Sequence, residues 1–383
     1  MDGNACTVKF CPLFNLFNEN RIKKRSELGG IRMRPAIALL AFLVVAQIAP
    51  LAQADEQELN RPSNDQTNGL EFKKKPKENP TCEFKPTLDF LDELNPGTNR
   101  DDLTSAAWFA RAVQLDTEQR TAAWKSLTQA PLSIHDLYAG PFGLHATILE
   151  FEKHVLVMYR GTQDPLDYVL NAFFYTTPGW IHNLPGWVHK GFLTNFGMTW
   201  HQLRTKLKTL TEGGKDVVFA SHSLGGAMSQ YAALRLEKEG IHIGRIFAFQ
   251  SPNAGDKTFK KEFDKRFSGK AFNVIYGNDI TPFIPPSRDA VRAFVAASTR
   301  PLAWTLGLIA RKANYAALEG RMRLESDGNL REGWDEEEMN FWDRYRAHSG
   351  GKGFPLGLSG SSDFVRDHNI GKVLCALANE AQH

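Results

Sequence analysis

The sequence predicts an α/β domain in which helices flank a mostly parallel sheet, and three observations support this class. Hydrophobic residues make up 42% and charged residues 23% of the 383 residues, which is ordinary globular usage and excludes a disordered or coiled-coil chain. Three short apolar segments, rich in β-branched and aromatic residues, are typical of strands buried on both faces of a parallel sheet: 217–220, 245–249 and 272–276. Helical patterns over 194–210 and 226–238 alternate with these strands.

The N-terminal region is typical of a secretory signal peptide over residues 33–54. Arg34 precedes an apolar run over 36–46, and Ala52-Gln53-Ala54 has the small-x-small pattern of a cleavage site, so we expect cleavage after Ala54. An uncleaved signal anchor is the alternative, but the apolar run is shorter than the roughly 20 residues that span a bilayer. Residues 1–32 are interpreted as a mis-assigned start or a genuine upstream extension.

Charge and cysteine usage limit the choice of partner and compartment. The net charge of +3 arises in the first 54 residues, so the remaining chain gives no electrostatic reason to expect nucleic acid as a partner. Removal of those residues leaves Cys82 and Cys375 as the only thiols. In an exported chain this pair predicts one disulfide between the N-terminal segment and the last helix, and two separate buried thiols are the alternative.

The elements follow in order from residue 55. Residues 55–100 are polar, with a basic run over 73–77, and are expected to form a flexible segment that leads into a domain over 101–383. Apolar spacing over 101–129 predicts two short helices, and 144–151 and 154–159 are further strand candidates. After Pro286 the alternation stops. Two apolar helical stretches (291–297 and 302–313) and the aromatic residues Phe341, Trp342 and Tyr345 predict a helical insertion over 287–350.

The most informative turn lies between the strand 217–220 and the helix that follows it. Ser223 has a small residue two positions before it, Ser221, and another two positions after it, Gly225. A nucleophile at the tip of a sharp strand-to-helix turn requires small residues at these positions, because strand and helix approach closely there. A frame with Ser221 as the nucleophile places Phe219 at a position that must be small, so Ser223 is the candidate.

Four motifs in one order resemble the fungal-type, class 3 lipase family of the α/β-hydrolase superfamily. They are Arg160-Gly161-Thr162, His189-Lys190-Gly191-Phe192, the elbow over 221–226, and Asn278-Asp279-Ile280-Thr281-Pro282. The resemblance covers roughly residues 144–285 and the C-terminal helix. The sequence departs from the family at Ser221, where the family has glycine.

The resemblance implies an α/β-hydrolase fold with the helical insertion before a catalytic histidine. It also implies an oxyanion hole formed by the backbone N–H groups of Thr162 and Leu224. The aromatic-rich stretch 163–188 takes the place of the family's lid, and core packing is the alternative. The insertion over 287–350 either shapes an acyl pocket or contacts lipid, and an ordinary packed insertion is the alternative.

The acid and base of a triad follow the serine in chain order in this superfamily. The family position favours Asp279, just after the strand 272–276, over Asp256 and Asp264. His368 stands at the start of an amphipathic helix and matches the family's histidine. The other histidines that follow Asp279 are less suitable: His348 in the glycine-rich exit from the insertion and His383 at the chain end. His189 and His222 are expected to make structural hydrogen bonds.

The expected function is a secreted serine hydrolase that cleaves acylglycerol esters as a lipase or carboxylesterase. A phospholipase A is the first alternative, and an inactive lipid-binding protein, which only the substituted Ser221 favours, is the second. No cofactor or metal is expected, because the histidines lack ligand spacing. The expected partners are an acylglycerol or phospholipid substrate and, transiently, a lipid surface, with no nucleic acid.

Overall fold

The computed structural model describes residues 82–92, 98–140, 143–161, 176–290, 292, 314–332, 337–348 and 363–379. Several predicted features lie outside the described residues: the predicted signal peptide over 33–54, residues 1–32, Thr162 and nearly all of the apolar stretches 291–297 and 302–313. Within the described ranges, no helix combines the length and apolar character needed to cross a membrane.

An eight-stranded sheet forms the centre of the domain, in the order β1-β2-β3-β6-β7-β8-β9-β10. Pairing is parallel from β3 to β9 and antiparallel at both edges. This topology confirms the predicted α/β-hydrolase fold class. The strands are β1 Ser133–Tyr138, β2 Leu144–Glu150, β3 His154–Tyr159, β6 Asp216–His222, β7 Ile243–Phe249, β8 Ala271–Tyr276, β9 Arg321–Leu324 and β10 Leu330–Glu332. A separate hairpin consists of β4 Thr176–Pro178 and β5 Trp187–His189.

Helices cover both faces of the sheet. Alternate strand residues point to opposite faces of the sheet. On one face, Val217 and Phe219 pack in a core with the helices over 190–210, 224–238 and 257–267. On the other face, Val218 and Ala220 pack in a second core with the helices over 100–112 and 370–379. Burial on both faces explains why the central strands are continuously apolar. The helices are α1 Arg100–Ala112, α2 Thr117–Lys125, α3 Lys190–Leu210, α4 Leu224–Lys238, α5 Lys257–Phe267, α6 Glu337–His348, α7 Asp363–Arg366 and α8 Ile370–Asn379.

The N-terminal segment corrects one expectation. Residues 55–100 were predicted to be flexible throughout, but Phe90 and Leu91 are buried in the core beneath α1. A disulfide joins Cys82 to Cys375 on α8, with the two Cα atoms 5.4 Å apart. The apolar residues Phe84, Leu88, Phe90 and Leu91 are interspersed with polar residues without helical or strand periodicity, so the sequence pattern did not reveal this packing.

Two strands inside the predicted insertion were also missed. β9 continues the parallel sheet beyond β8, and β10 pairs with β9 as the edge. The pattern was misleading because β9 carries buried Arg321, which the sequence alone assigns to a surface. Its guanidinium donates to Asn253 Oδ1 at 2.6 Å and to the Pro282 carbonyl at 2.7 Å, so its charge is hydrogen-bonded in the interior. The remainder of the described insertion includes helix α6.

Candidate active site

Ser223 occupies the tight turn between β6 and α4. Its backbone has φ 58° and ψ −132°, a conformation that L residues rarely adopt and that often marks a functional site. A Cβ on Gly225 would lie 2.5 Å from the Tyr159 carbonyl oxygen, so only glycine allows this close approach of α4 to β3. These contacts place the Ser223 side chain at the tip of the turn, at the carboxyl edge of the parallel strands.

Ser221, which departs from the family's glycine, has a structural environment. It is fully buried, and its hydroxyl oxygen accepts hydrogen bonds from the Tyr159 N–H at 3.0 Å and the Ser229 hydroxyl at 2.9 Å. The hydroxyl therefore links β3, β6 and α4 below the turn. This arrangement accounts for the substitution without assigning it a chemical role.

The structure brings Ser223, His368 and Asp279 into one hydrogen-bonded chain. His368 Nε2 lies 2.8 Å from Ser223 Oγ, and His368 Nδ1 lies 2.8 Å from Asp279 Oδ2. All three side chains are buried. In this arrangement the imidazole accepts the serine proton through one nitrogen and donates to the carboxylate through the other.

The turn after β8 and the segment before α8 hold the acid and the base. Asp279 is 0% exposed, and its Oδ1 accepts the Thr281 N–H at 2.9 Å, so both carboxylate oxygens are hydrogen-bonded. Asn369, next to His368, accepts the Gly371 N–H at 2.8 Å through its side chain and caps α8. The cap fixes the backbone beside the imidazole.

The competing carboxylates have structural partners. Asp256 caps α5 by accepting the N–H groups of Thr258 and Phe259. Asp264 pairs with Lys260 at 2.5 Å on the same helix. Among the competing histidines, His348 ends α6, and His383 lies outside the described residues.

Two further histidines near the motifs make structural hydrogen bonds. His189 accepts the Phe192 N–H at 3.1 Å and caps α3. His222 Nε2 lies 2.9 Å from Gln250 Oε1, and its ring centre is 4.6 Å from that of His368. Burial, and secondarily the nearby charge of His368, hold the pKa of His222 well below its ordinary value, so His222 is neutral beside the triad.

One of the two predicted oxyanion donors can be placed. Leu224 is the first residue of α4, so its N–H has no acceptor within the helix and lies next to Ser223. Thr162 lies outside the described residues, but Gly161 before it runs beside the elbow, where a Cβ would be 3.4 Å from Ser223 Cβ. Among the described side chains, no group of three His, Cys, Asp or Glu residues could hold a metal ion.

Two residues beside Asp279 and His368 were not predicted from the sequence. Gln250 is fully buried after β7 with φ 54°, and Asp367 precedes His368. A polar residue directly after a buried strand was an available signal for Gln250. No sequence pattern indicated Asp367, because its partners are distant in the chain.

Comparison with known proteins shows which family the central part of the chain resembles. Residues 156–289, which include β6, Ser223 and Asp279, match the family model described as Lipase (class 3). Over this region the chain is similar to the class 3 lipases. The resemblance expected from the four motifs is thereby confirmed.

Individual relatives match regions of similar length. The chain is 30% identical over 140 residues to "Secreted mono- and diacylglycerol lipase 1" of Fusarium solani, covering 35% of this chain and 40% of the relative. It is 23% identical over 153 residues to "Lipase ZK262.3" of Caenorhabditis elegans, covering 39% and 43%. The chain thus spans less than half the length of these curated relatives.

Among solved structures, the Lip2 lipase from Yarrowia lipolytica is similar with a TM-score of 0.43 and 16% identity, over 58% of this chain and 77% of that one.

Proposed function

We propose that this protein is a serine hydrolase that cleaves carboxylic esters of acylglycerols. The observation that carries the proposal is the chain of two 2.8 Å contacts from Ser223 through His368 to Asp279. A buried nucleophile, base and carboxylate in this order are the constellation of acyl transfer through a covalent intermediate.

The proposed reaction proceeds in two halves. His368 takes the Ser223 proton as the hydroxyl oxygen attacks the ester carbonyl, and Asp279 stabilises the resulting imidazolium. The N–H of Leu224, with that of Thr162 as the second proposed donor, stabilises the oxyanion. His368 then protonates the departing alcohol. In the second half, water attacks the acyl-enzyme with His368 as general base and releases the fatty acid.

Relatives support the choice of substrate and compartment. The fungal relatives of Fusarium solani and Malassezia restricta are named secreted mono- and diacylglycerol lipases. Together with the signal-peptide pattern over 33–54, this supports export of the present chain. Phospholipase A activity remains the alternative substrate choice.

The β4–β5 hairpin supports a transient contact with a lipid surface. Trp180, Ile181 and Trp187 are 61%, 66% and 44% exposed, and the two indoles pack edge to face with centres 5.7 Å apart. Backbone bonds from His189 to Ala254 and from Asp256 to Trp187 attach the hairpin to the loop after β7 at the carboxyl edge of the sheet. Tryptophan prefers the boundary between water and lipid.

Hydrolysis of p-nitrophenyl esters from two to sixteen carbons tests the proposed function. We expect activity that peaks at eight carbons or longer, and a loss of about four orders of magnitude in kcat for Ser223→Ala. Diacylglycerol and phosphatidylcholine, compared in the same assay, separate a lipase from a phospholipase. A wild type that binds lipid vesicles but hydrolyses none of these esters would instead support the alternative of an inactive lipid-binding protein.

A Trp180→Ser/Trp187→Ser double variant tests the lipid contact. We expect its activity to fall several-fold on emulsified diacylglycerol and to stay unchanged on a soluble short-chain ester, because only the former presents a surface. Tyr138→Ser, which removes a 49% exposed aromatic ring from the edge strand β1, is the matched control. Equal losses on both substrates would contradict the surface role.

A further inference from the structure

Asp367 connects the acid-bearing turn and the base-bearing segment of the site. Its Oδ2 accepts the Asn278 N–H at 3.0 Å, and Asn278 directly precedes Asp279. The same residue directly precedes His368. One side chain therefore spans the two segments whose separation determines the contact between His368 and Asp279.

The backbone of the turn after β8 leaves room for the Asp367 carboxylate. Gly277 has φ 57°, and a Cβ on it would lie 2.4 Å from Asp367 Oδ2, so glycine leaves the space that the carboxylate occupies. The other carboxylate oxygen binds Lys372 Nζ at 2.8 Å on α8. Each oxygen has a different partner, which holds the carboxylate in one orientation.

A second contact fixes the main chain of Asp367 relative to the nucleophile. The Asp367 carbonyl accepts the Gln250 side-chain amide at 2.5 Å, and the other end of that amide contacts His222, the neighbour of Ser223. The base-bearing segment is thus tied to the nucleophile turn through Gln250 and to the acid turn through its own carboxylate.

We propose that Asp367 is a positioning residue that sets the geometry of the His368–Asp279 pair through its hydrogen bond to the Asn278 N–H. The inference rests on the proposed function of the triad. Loss of this bond lets the turn after β8 shift relative to His368, and displacement of a catalytic group by about 1 Å can reduce turnover by about 100-fold. Asp367 contacts neither Ser223 nor substrate in this account, so substrate binding should not change.

Replacement of Asp367 in the full chain provides the test. We expect Asp367→Ala to lower kcat about 10- to 100-fold with KM within twofold. Asp367→Asn should keep at least a third of kcat, because its amide oxygen can still accept the Asn278 N–H although the ion pair with Lys372 is lost. Asp363→Ala, which removes an exposed carboxylate from α7 that pairs with Arg366, is the control and should match the wild type.

Proton NMR gives a readout that does not depend on turnover. The His368 Nδ1–H proton shared with Asp279 should resonate far downfield in the wild type and in Asp367→Asn, and should be lost or shifted in Asp367→Ala. Gly277→Ala perturbs the same contact from the opposite side and should reproduce the loss. None of these substitutions removes a partner of the Ile280 N–H bond to the Phe364 carbonyl, so we expect the variants to keep the overall fold while the geometry of the pair changes.

The outcomes separate this inference from the proposed function. Unchanged kcat and an unchanged downfield resonance in Asp367→Ala would overturn the positioning role, as would an Asp367→Asn variant as impaired as Asp367→Ala. A wild type that hydrolyses no ester would overturn the proposed function instead, while the NMR comparison would still report whether Asp367 holds His368 against Asp279.

Discussion

At the residue scale, the site depends on positions that tolerate few side chains other than the observed one. Ser223 adopts φ 58° at the sharp turn from β6 into α4, and Gly225 allows α4 to lie against Tyr159 of β3. The nucleophile turn was predictable from sequence, since the need for small neighbours is local. The bond of Asp367 to Asn278 was not, because it joins residues 89 positions apart.

Gly225→Ala tests the elbow. The added Cβ would meet the Tyr159 carbonyl at 2.5 Å, so we expect a loss of about 2 kcal/mol or more in the free energy of unfolding, together with most of the activity. Gly213→Ala, where a Cβ meets nothing within 4 Å, is the control. Urea unfolding and ester hydrolysis measure both, and a Gly225→Ala variant with wild-type stability would contradict the close approach.

His145 predicts a pH dependence of stability. Burial lowers its pKa to about 4, so between about pH 6.5 and pH 4 the unfolded chain binds a proton that the folded chain does not. Stability is therefore lost as the pH falls through this window. Between pH 7 and pH 4.5, we expect the free energy of unfolding of His145→Gln to fall by about 2 kcal/mol less than that of the wild type, as measured by urea unfolding. The exposed His201→Gln is the control, and identical losses in all three proteins would refute the assignment.

At the scale of elements, strands were predictable where an apolar run stands out, as in 246–249 beyond buried Arg245, and not in the short β9, where two of four residues are arginine. The apolar β6, β7 and β8 were found because they are buried on both faces. β9 was missed because Arg321 is buried in it, and its contacts with Asn253 and Pro282 appear only in the folded chain.

The contact of α1 with β7 contains a second buried charge. Arg245 on β7 binds Asp102 on α1 at 2.8 Å, with both side chains buried, and also donates to the Phe90 carbonyl. Asp102→Ala leaves the guanidinium without its carboxylate, so we expect a loss of about 3–5 kcal/mol in the free energy of unfolding. Asp289→Ala, which removes an exposed ion pair with Arg292, should cost less than about 1 kcal/mol in the same denaturant titration. Equal costs would contradict the burial.

At the scale of the whole domain, the N-terminal and C-terminal segments of the described chain are in contact. Cys82 is joined to Cys375 on α8, and Arg100 at the start of α1 donates to the carbonyl of Leu377 at 3.1 Å near the end of α8. α8 begins two residues after His368, so the N-terminal segment supports the helix that carries the base. The cysteine pair was predictable from the cysteine count and the signal-peptide pattern, whereas the burial of Phe90 in the N-terminal segment was not.

Removal of the disulfide should lower stability without abolishing the triad. We expect Cys82→Ala/Cys375→Ala to lose about 2–5 kcal/mol in the free energy of unfolding, since the bridge closes a long loop. Dithiothreitol should bring the wild type to the same value and leave the double variant unchanged. A wild type insensitive to the reductant under unfolding conditions would show that the bridge does not form.

The proposed chemistry depends on Ser223 as the nucleophile. The most direct test is to treat the full chain with a fluorophosphonate and to locate the adduct by peptide mass spectrometry, with Ser223→Ala alongside. We predict one adduct, on the peptide that carries Ser221 and Ser223, with fragmentation placing it on Ser223 and no labelling of the variant. An adduct on Ser221, or an unlabelled wild type with intact fold, would contradict the claim.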